Sequence, residues 1–131
     1  MLRYLTDEEL EVTSRFLFLS MAMVVIRQDI EHIQNGSFKI KEPYLNLIET
    51  MVSEASVERK KIKMIMNQKS MQVVMLNKND SFSSFLFLCQ GREEKRNYFN
   101  PVIQKKVTAI VQELMFKALR PSQQKDAGAR I

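Results

Sequence analysis

From Phe16 to Ile26 every residue except Ser20 is apolar, and Arg15 and Arg27 close the run on both sides. A helix through such a run is apolar all round, so it demands cover from other helices or from a second chain. At 1.5 Å rise per residue it spans about 17 Å, against the roughly 30 Å hydrocarbon core of a bilayer, which argues against a membrane span. Upstream, Thr6-Asp-Glu-Glu9 reads as a capping box, in which the Thr6 hydroxyl accepts from the amide of Glu9 while the Glu9 carboxylate accepts from the amide of Thr6. These signals predict a first helix over about 7–34. It ends at Asn35-Gly36, a pair that accepts the left-handed conformation common just after a helix.

Phe38-Lys-Ile-Lys41 then alternates apolar and basic residues, and Pro43 stands at the first position of a second helix, where a proline is tolerated. That helix is predicted to continue to about Gln68, with Tyr44, Ile48, Met51, Ala55, Ile62 and Ile65 recurring every three or four residues on its apolar side. Met71 to Leu76 is short and β-branched in its middle, which favours a small strand paired with 38–41 over a frayed helix end. Asp80 can cap a short third helix over Phe82 to Gln90, terminated by Gly91, with Phe82, Phe85, Leu86 and Cys89 on one face. The alternation of Phe85 and Phe87 argues for a strand there; agreement of the capping residues favours the helix. Arg92 to Arg96 reads as a mixed-charge connector. Asn100-Pro101 supplies a cap and a first-turn proline for a last helix lined by Ile103, Val107, Ile110 and Leu114, ended by Pro121. Phe99, just before the cap, fits a hydrophobic staple better than a base-stacking role beside Tyr98 and Arg96.

The expectation is one mainly α domain over 1–120, a bundle of about four helices with a possible two-stranded element pairing 38–41 with 72–76. Residues 121–131 are polar and small and predict a disordered tail. Three glycines and three prolines in 131 residues are too few for an all-β chain full of tight turns. A chain of this length buries enough surface to fold without metal or disulfide staples. Its one cysteine, Cys89, cannot form an internal disulfide, which fits a reducing, cytoplasmic compartment. Asp7, Glu8, Glu9 and Glu11 precede the apolar run, the wrong charge sign for a secretory leader.

Little of the sequence supports catalysis. The single histidine, His32, is the only base of its kind that could activate Cys89, and one His with one Cys cannot complete a zinc site. The N-terminal acids could hold a hard cation, yet acids at a helix start are favoured by its dipole in any case. No glycine-rich loop exists to cradle a phosphate. The reading is therefore no enzyme, no metal and no cofactor, with an enzyme using Cys89 or a carboxylate pair as the alternative.

Charge is the positive signal. The net charge is +5. Arg59, Lys60 and Lys63 project from one side of the second helix, with Lys69 beyond its end and Lys105 and Lys106 on the last helix. These six are the candidate nucleic-acid contacts, able to neutralise phosphates of DNA or RNA without reading sequence; the competing reading is an ordinary solvated face. Nine methionines, among them Met64, Met66, Met71 and Met75, serve as core fillers or as an adaptable surface for a protein partner. Phe16, Leu19, Met23 and Ile26 of the apolar run are the candidate interface of a homodimer.

The stretch Phe38-Lys-Ile-Lys-Glu-Pro-Tyr44, the long charged helix after it, Phe82 and Tyr98-Phe-Asn-Pro101 together resemble small proteins encoded in temperate phages and integrated elements of Gram-positive bacteria, over about residues 5–118. The resemblance implies a mobile-element setting and carries no active site. The functional expectation is a non-enzymatic binding or regulatory module, acting through nucleic acid or through a host or phage protein. A pure protein-protein interaction factor is the further alternative.

Overall fold

Helix α1 spans Asp7–Asn35 and begins as its sequence dictates. The Thr6 amide donates to Glu9 Oε1 at 2.9 Å, and the Glu9 amide donates to the Thr6 hydroxyl at 3.2 Å. Its end differs from expectation. Gly36 is in extended rather than left-handed conformation (φ −85°), and glycine is needed there because a Cβ would lie 2.9 Å from the His32 carbonyl oxygen. A computed structural model describes residues 4–120; the predicted 121–131 tail lies outside the described residues. After α1 come α2 (Glu42–Gln68), three strands, β1 (Met71–Lys78), β2 (Phe82–Cys89) and β3 (Arg92–Phe99), and α3 (Asn100–Leu119).

The strands form one antiparallel sheet in the order β1-β2-β3, so among the described residues the expected four-helix bundle is corrected to three helices and a three-stranded meander. β1 is a strand as expected, but its partner is β2, with Val73 opposite Phe87; residues 38–41 form no strand. The short helix predicted over Phe82 to Gln90 is the central strand. Ser83, Phe85, Phe87 and Cys89 alternate into the core, and this period-two burial outweighs the three-four spacing that the same residues also satisfy. Asp80 caps nothing of that kind; Asn79 shapes the turn, its Oδ1 accepting from the amides of Ser81 and Phe82 at 2.8 Å.

Gly91 was expected to end a helix and instead closes a hairpin. Gln90 (φ 51°) and Gly91 (φ 81°) are the two central residues of a two-residue turn, the geometry that matches the twist of paired strands. The expected connector Arg92–Arg96 is accordingly half of β3. Phe99 is exposed and packs on Phe82 across the sheet, ring centroids 5.5 Å apart, rather than stapling α3. Asn100 does not cap that helix either: its Nδ2 donates to the Asn79 carbonyl at 2.9 Å and its Oδ1 accepts from Ser83 at 2.7 Å, tying α3 to the sheet turn.

Two clusters of buried side chains share α1. One joins Phe18, Leu19, Ala22, Met23 and Ile26 to Met51 and Ala55 of α2 and to Ile110 and Leu114 of α3. The other joins Phe16 to Met66, Met71, Phe85, Phe87 and Cys89 beneath the sheet. The apolar run is thus covered by its own chain. Phe16, Leu19, Met23 and Ile26, expected to receive a second copy, are 8, 0, 5 and 1 % exposed and belong to the interior. Val24 and Val25 alone of the run are exposed. On α2 the apolar stripe drifts: Tyr44 and Ile65 are exposed, and Met66 is buried in place of Ile65.

Arg15 fastens the three helices. Its Nε donates to Glu58 at 2.6 Å and its Nη2 to Glu113 at 2.7 Å, a planar fork meeting two carboxylates. The pairing holds the Glu58 carboxyl below its ordinary range.

Candidate nucleic-acid interface

The six basic residues singled out by sequence divide among three places. Arg59, Lys60 and Lys63 line a groove of about 520 Å³ between α1 and α2. Lys69 follows the end of α2, where its carbonyl receives the Cys89 thiol at 3.7 Å. Lys105 and Lys106 lie on α3, and the Lys106 ammonium sits 5.6 Å from the Phe18 ring centroid. Phe16 and Phe18 are two residues apart, which is about 200° around a helix, so the first and third groups flank α1 from nearly opposite sides.

The groove brings in residues that a charge count along one helix misses. Ser20, Met23, Val24 and Arg27 come from α1, and Ser56 and Met64 join the basic residues of α2. Ser20, Met23, Val24 and Arg27 recur every three or four positions, so the signal was in the sequence; what it lacked was knowledge that this side of α1 faces α2.

Arg59 is held in place before any ligand arrives. Its Nε donates to the Ser20 hydroxyl at 2.8 Å, and that hydroxyl donates back to the Phe16 carbonyl at 2.7 Å. The guanidinium carbon lies 4.5 Å from the centroid of the Phe16 ring, and the Lys63 ammonium lies 5.3 Å from the same ring. One aromatic ring therefore steadies two cations, an interaction worth about 0.5–1 kcal/mol at exposed sites. Arg27 and Lys60 are exposed. None of the lining residues carries a carboxylate, and none of the four cations forms a salt bridge among the described residues.

The chemistry of Cys89 and His32 comes apart. Cys89 is buried at the sheet end beside Glu9, near the start of α1, while His32 is exposed on its last turn. About 23 helical residues separate these ends, roughly 35 Å, far beyond hydrogen-bond reach. Burial pushes the Cys89 thiol above its ordinary value. The N-terminal acids do not converge either: among the described residues no group of three His, Cys, Asp or Glu side chains could hold a metal ion. Glu9 instead grips Arg92, with Nη2 to Oε2 at 2.7 Å, and that bond holds its carboxyl at about 2. Tyr98, the candidate base-stacking aromatic, is half-buried, and its ring is perpendicular to that of Phe18 with centroids 5.4 Å apart. Among the described residues no helix is long and apolar enough to cross a membrane.

No solved structure matches the chain. It is 26 % identical over 112 residues to the uncharacterized protein YhjD of Bacillus subtilis (strain 168), a Gram-positive bacterium, covering 86 % of this chain and 93 % of the relative. Residues 4–119, which include α1 to α3, β1 to β3 and both walls of the groove, match the YhjD protein family, and the chain belongs to that family.

Proposed function

We propose that the protein is a non-enzymatic binding module that holds the phosphate backbone of a nucleic acid in the groove between α1 and α2. The observation that carries this reading is the convergence of Arg27, Arg59, Lys60 and Lys63 on one groove whose lining contains no acid. Apolar walls, here Met23, Val24 and Met64, focus the field of such charges and strengthen attraction for an anion. Arg59, pinned by Ser20 and Phe16, is the fixed contact. Lys60, Lys63 and Arg27 are exposed, and of these only Lys63 lies against the Phe16 ring. Phosphate contacts of this kind position a backbone and carry no base recognition, so binding is tolerant of sequence.

Counterion release sets the test. With up to four phosphates neutralised, the log-log dependence of duplex affinity on salt has a slope of about −3 to −4. A labelled duplex titrated at low and at moderate salt should show that slope, and Lys60→Glu with Lys63→Glu should abolish binding while the fold stays intact by circular dichroism. Binding undetectable even at low salt ends the nucleic-acid reading and leaves the protein-partner one. The mobile-element setting is part of the proposal: neighbouring genes of replication, lysis or lysogeny support it, and a neighbourhood without them contradicts it.

A further inference from the structure

The two edges of the sheet are built differently. β3 is charged at each position from Arg92 to Arg96, and Arg92 and Arg96 are engaged with Glu9 and Glu94. Such an edge resists pairing with another strand. β1 carries no charge from Met71 to Asn77, and Val74, Met75 and Leu76 are 42, 54 and 47 % exposed. Its first five residues, Met71-Gln-Val-Val-Met75, keep regular register with β2, and an irregularity begins only between Met75 and Asn77.

The direction of the free hydrogen-bonding groups follows from the hairpin. Cys89 and Arg92 flank the two-residue turn, so this pair is the hydrogen-bonded kind and Cys89 spends its backbone groups on β3. The next pair outward, Ser70 and Gln90, is bonded on the β1 side, the Gln90 amide donating to the Ser70 carbonyl at 3.3 Å. Alternation then assigns Gln72 and Val74 to bonds with β2. Met71, Val73 and Met75 aim their N–H and C=O groups at the open edge, where no backbone partner meets them among the described residues.

We propose that this edge is the site of self-association: β1 of one copy pairs antiparallel with β1 of another about a two-fold axis through Val73, making one six-stranded sheet. A second copy is the occupant because the segment is complementary to itself. Pairing about Val73 sets Val73 against Val73, Met71 against Met75 and Gln72 against Val74, with each Met71, Val73 and Met75 bonding across the seam. No charge falls within it, and the two Lys78 side chains lie at opposite ends. The dimer interface is therefore β1 and not the buried face of α1.

Sedimentation equilibrium at tens to hundreds of micromolar tests this, with a species of twice 15.4 kDa expected. Met75→Pro removes an amide that bonds only across the seam, which an edge strand tolerates, and should return the protein to monomer with its circular dichroism unchanged. Val74→Lys with Met75→Lys, at two exposed positions, should do the same by repulsion and covers the case in which the proline variant fails to fold. Val73→Cys should cross-link on mild oxidation, since Cα atoms of a bonded pair lie about 5.5 Å apart, within disulfide range, whereas Lys78→Cys should not. A monomer at several hundred micromolar, a dimer that survives the charged variant, or cross-linking at position 78 and not at 73 would overturn the proposal.

Discussion

Both flanks of α1 carry cations, and the flanks differ in what accompanies them. On the Phe18 side, Arg15 and Lys106 share their cleft with Glu113, and Arg15 is committed to Glu58 and Glu113. On the Phe16 side, Arg27, Arg59, Lys60 and Lys63 meet no carboxylate in their groove. Net charge thus says little until the acids are placed. The Phe18 flank uses its charge to join helices, and the Phe16 flank leaves its cations without a carboxylate partner among the described residues.

The largest break in this contrast comes from charge reversal in the groove. Lys60→Glu with Lys63→Glu removes two phosphate contacts and adds two repulsions, and should weaken duplex binding by about a hundredfold or more in a fluorescence anisotropy titration. Loss of Arg15 should act on the other quantity. Arg15→Ala severs the link among three helices and should cost about 1–2 kcal/mol of stability by chemical denaturation, a partly exposed pair being discounted for solvent screening, while groove affinity stays within about twofold.

Acid should separate the flanks from the sheet end. The Glu9 carboxyl is held at about 2 by Arg92, against an ordinary 4.5, so its stabilising effect is complete above the unfolded value and drains away as pH falls from 4.5 toward 2. Thermal melts across that interval should fall more steeply for the native protein than for Glu9→Gln. The smallest effect should come from Lys105→Glu with Lys106→Glu, which changes net charge as much as the groove variant does yet lowers duplex affinity only about threefold, through long-range potential alone.

Much of α1, α2 and α3 could be read from the chain because their signals are local. The Thr6–Glu9 box, Pro43, Pro101 and the Ile103-Val107-Ile110-Leu114 face each act within one or two turns. The sheet was half hidden. Phe82, Phe85, Leu86 and Cys89 satisfy a helical face, while Phe85, Phe87 and Cys89 satisfy a strand; the choice rests on β1 and β3, whose pairing is not local. Gln90-Gly91 as a two-residue turn was the available clue, and the charge of Arg92–Arg96 masked the strand beyond it. The groove shows the same division. Arg59, Lys60 and Lys63 were legible on one helix, but Arg27 and Ser20 join them only through the packing of α1 against α2, and Lys69, Lys105 and Lys106 are carried elsewhere by the same packing.

The most direct measurement is a matched titration of one labelled duplex, at low salt, with the native chain and the two charge-reversed variants. Because Lys60→Glu/Lys63→Glu and Lys105→Glu/Lys106→Glu carry the same net charge, any difference between them reports place rather than amount. The first pair should abolish binding and the second should nearly preserve it. Equal losses in both, or no binding by the native chain, would rule out the groove between α1 and α2 as the phosphate site.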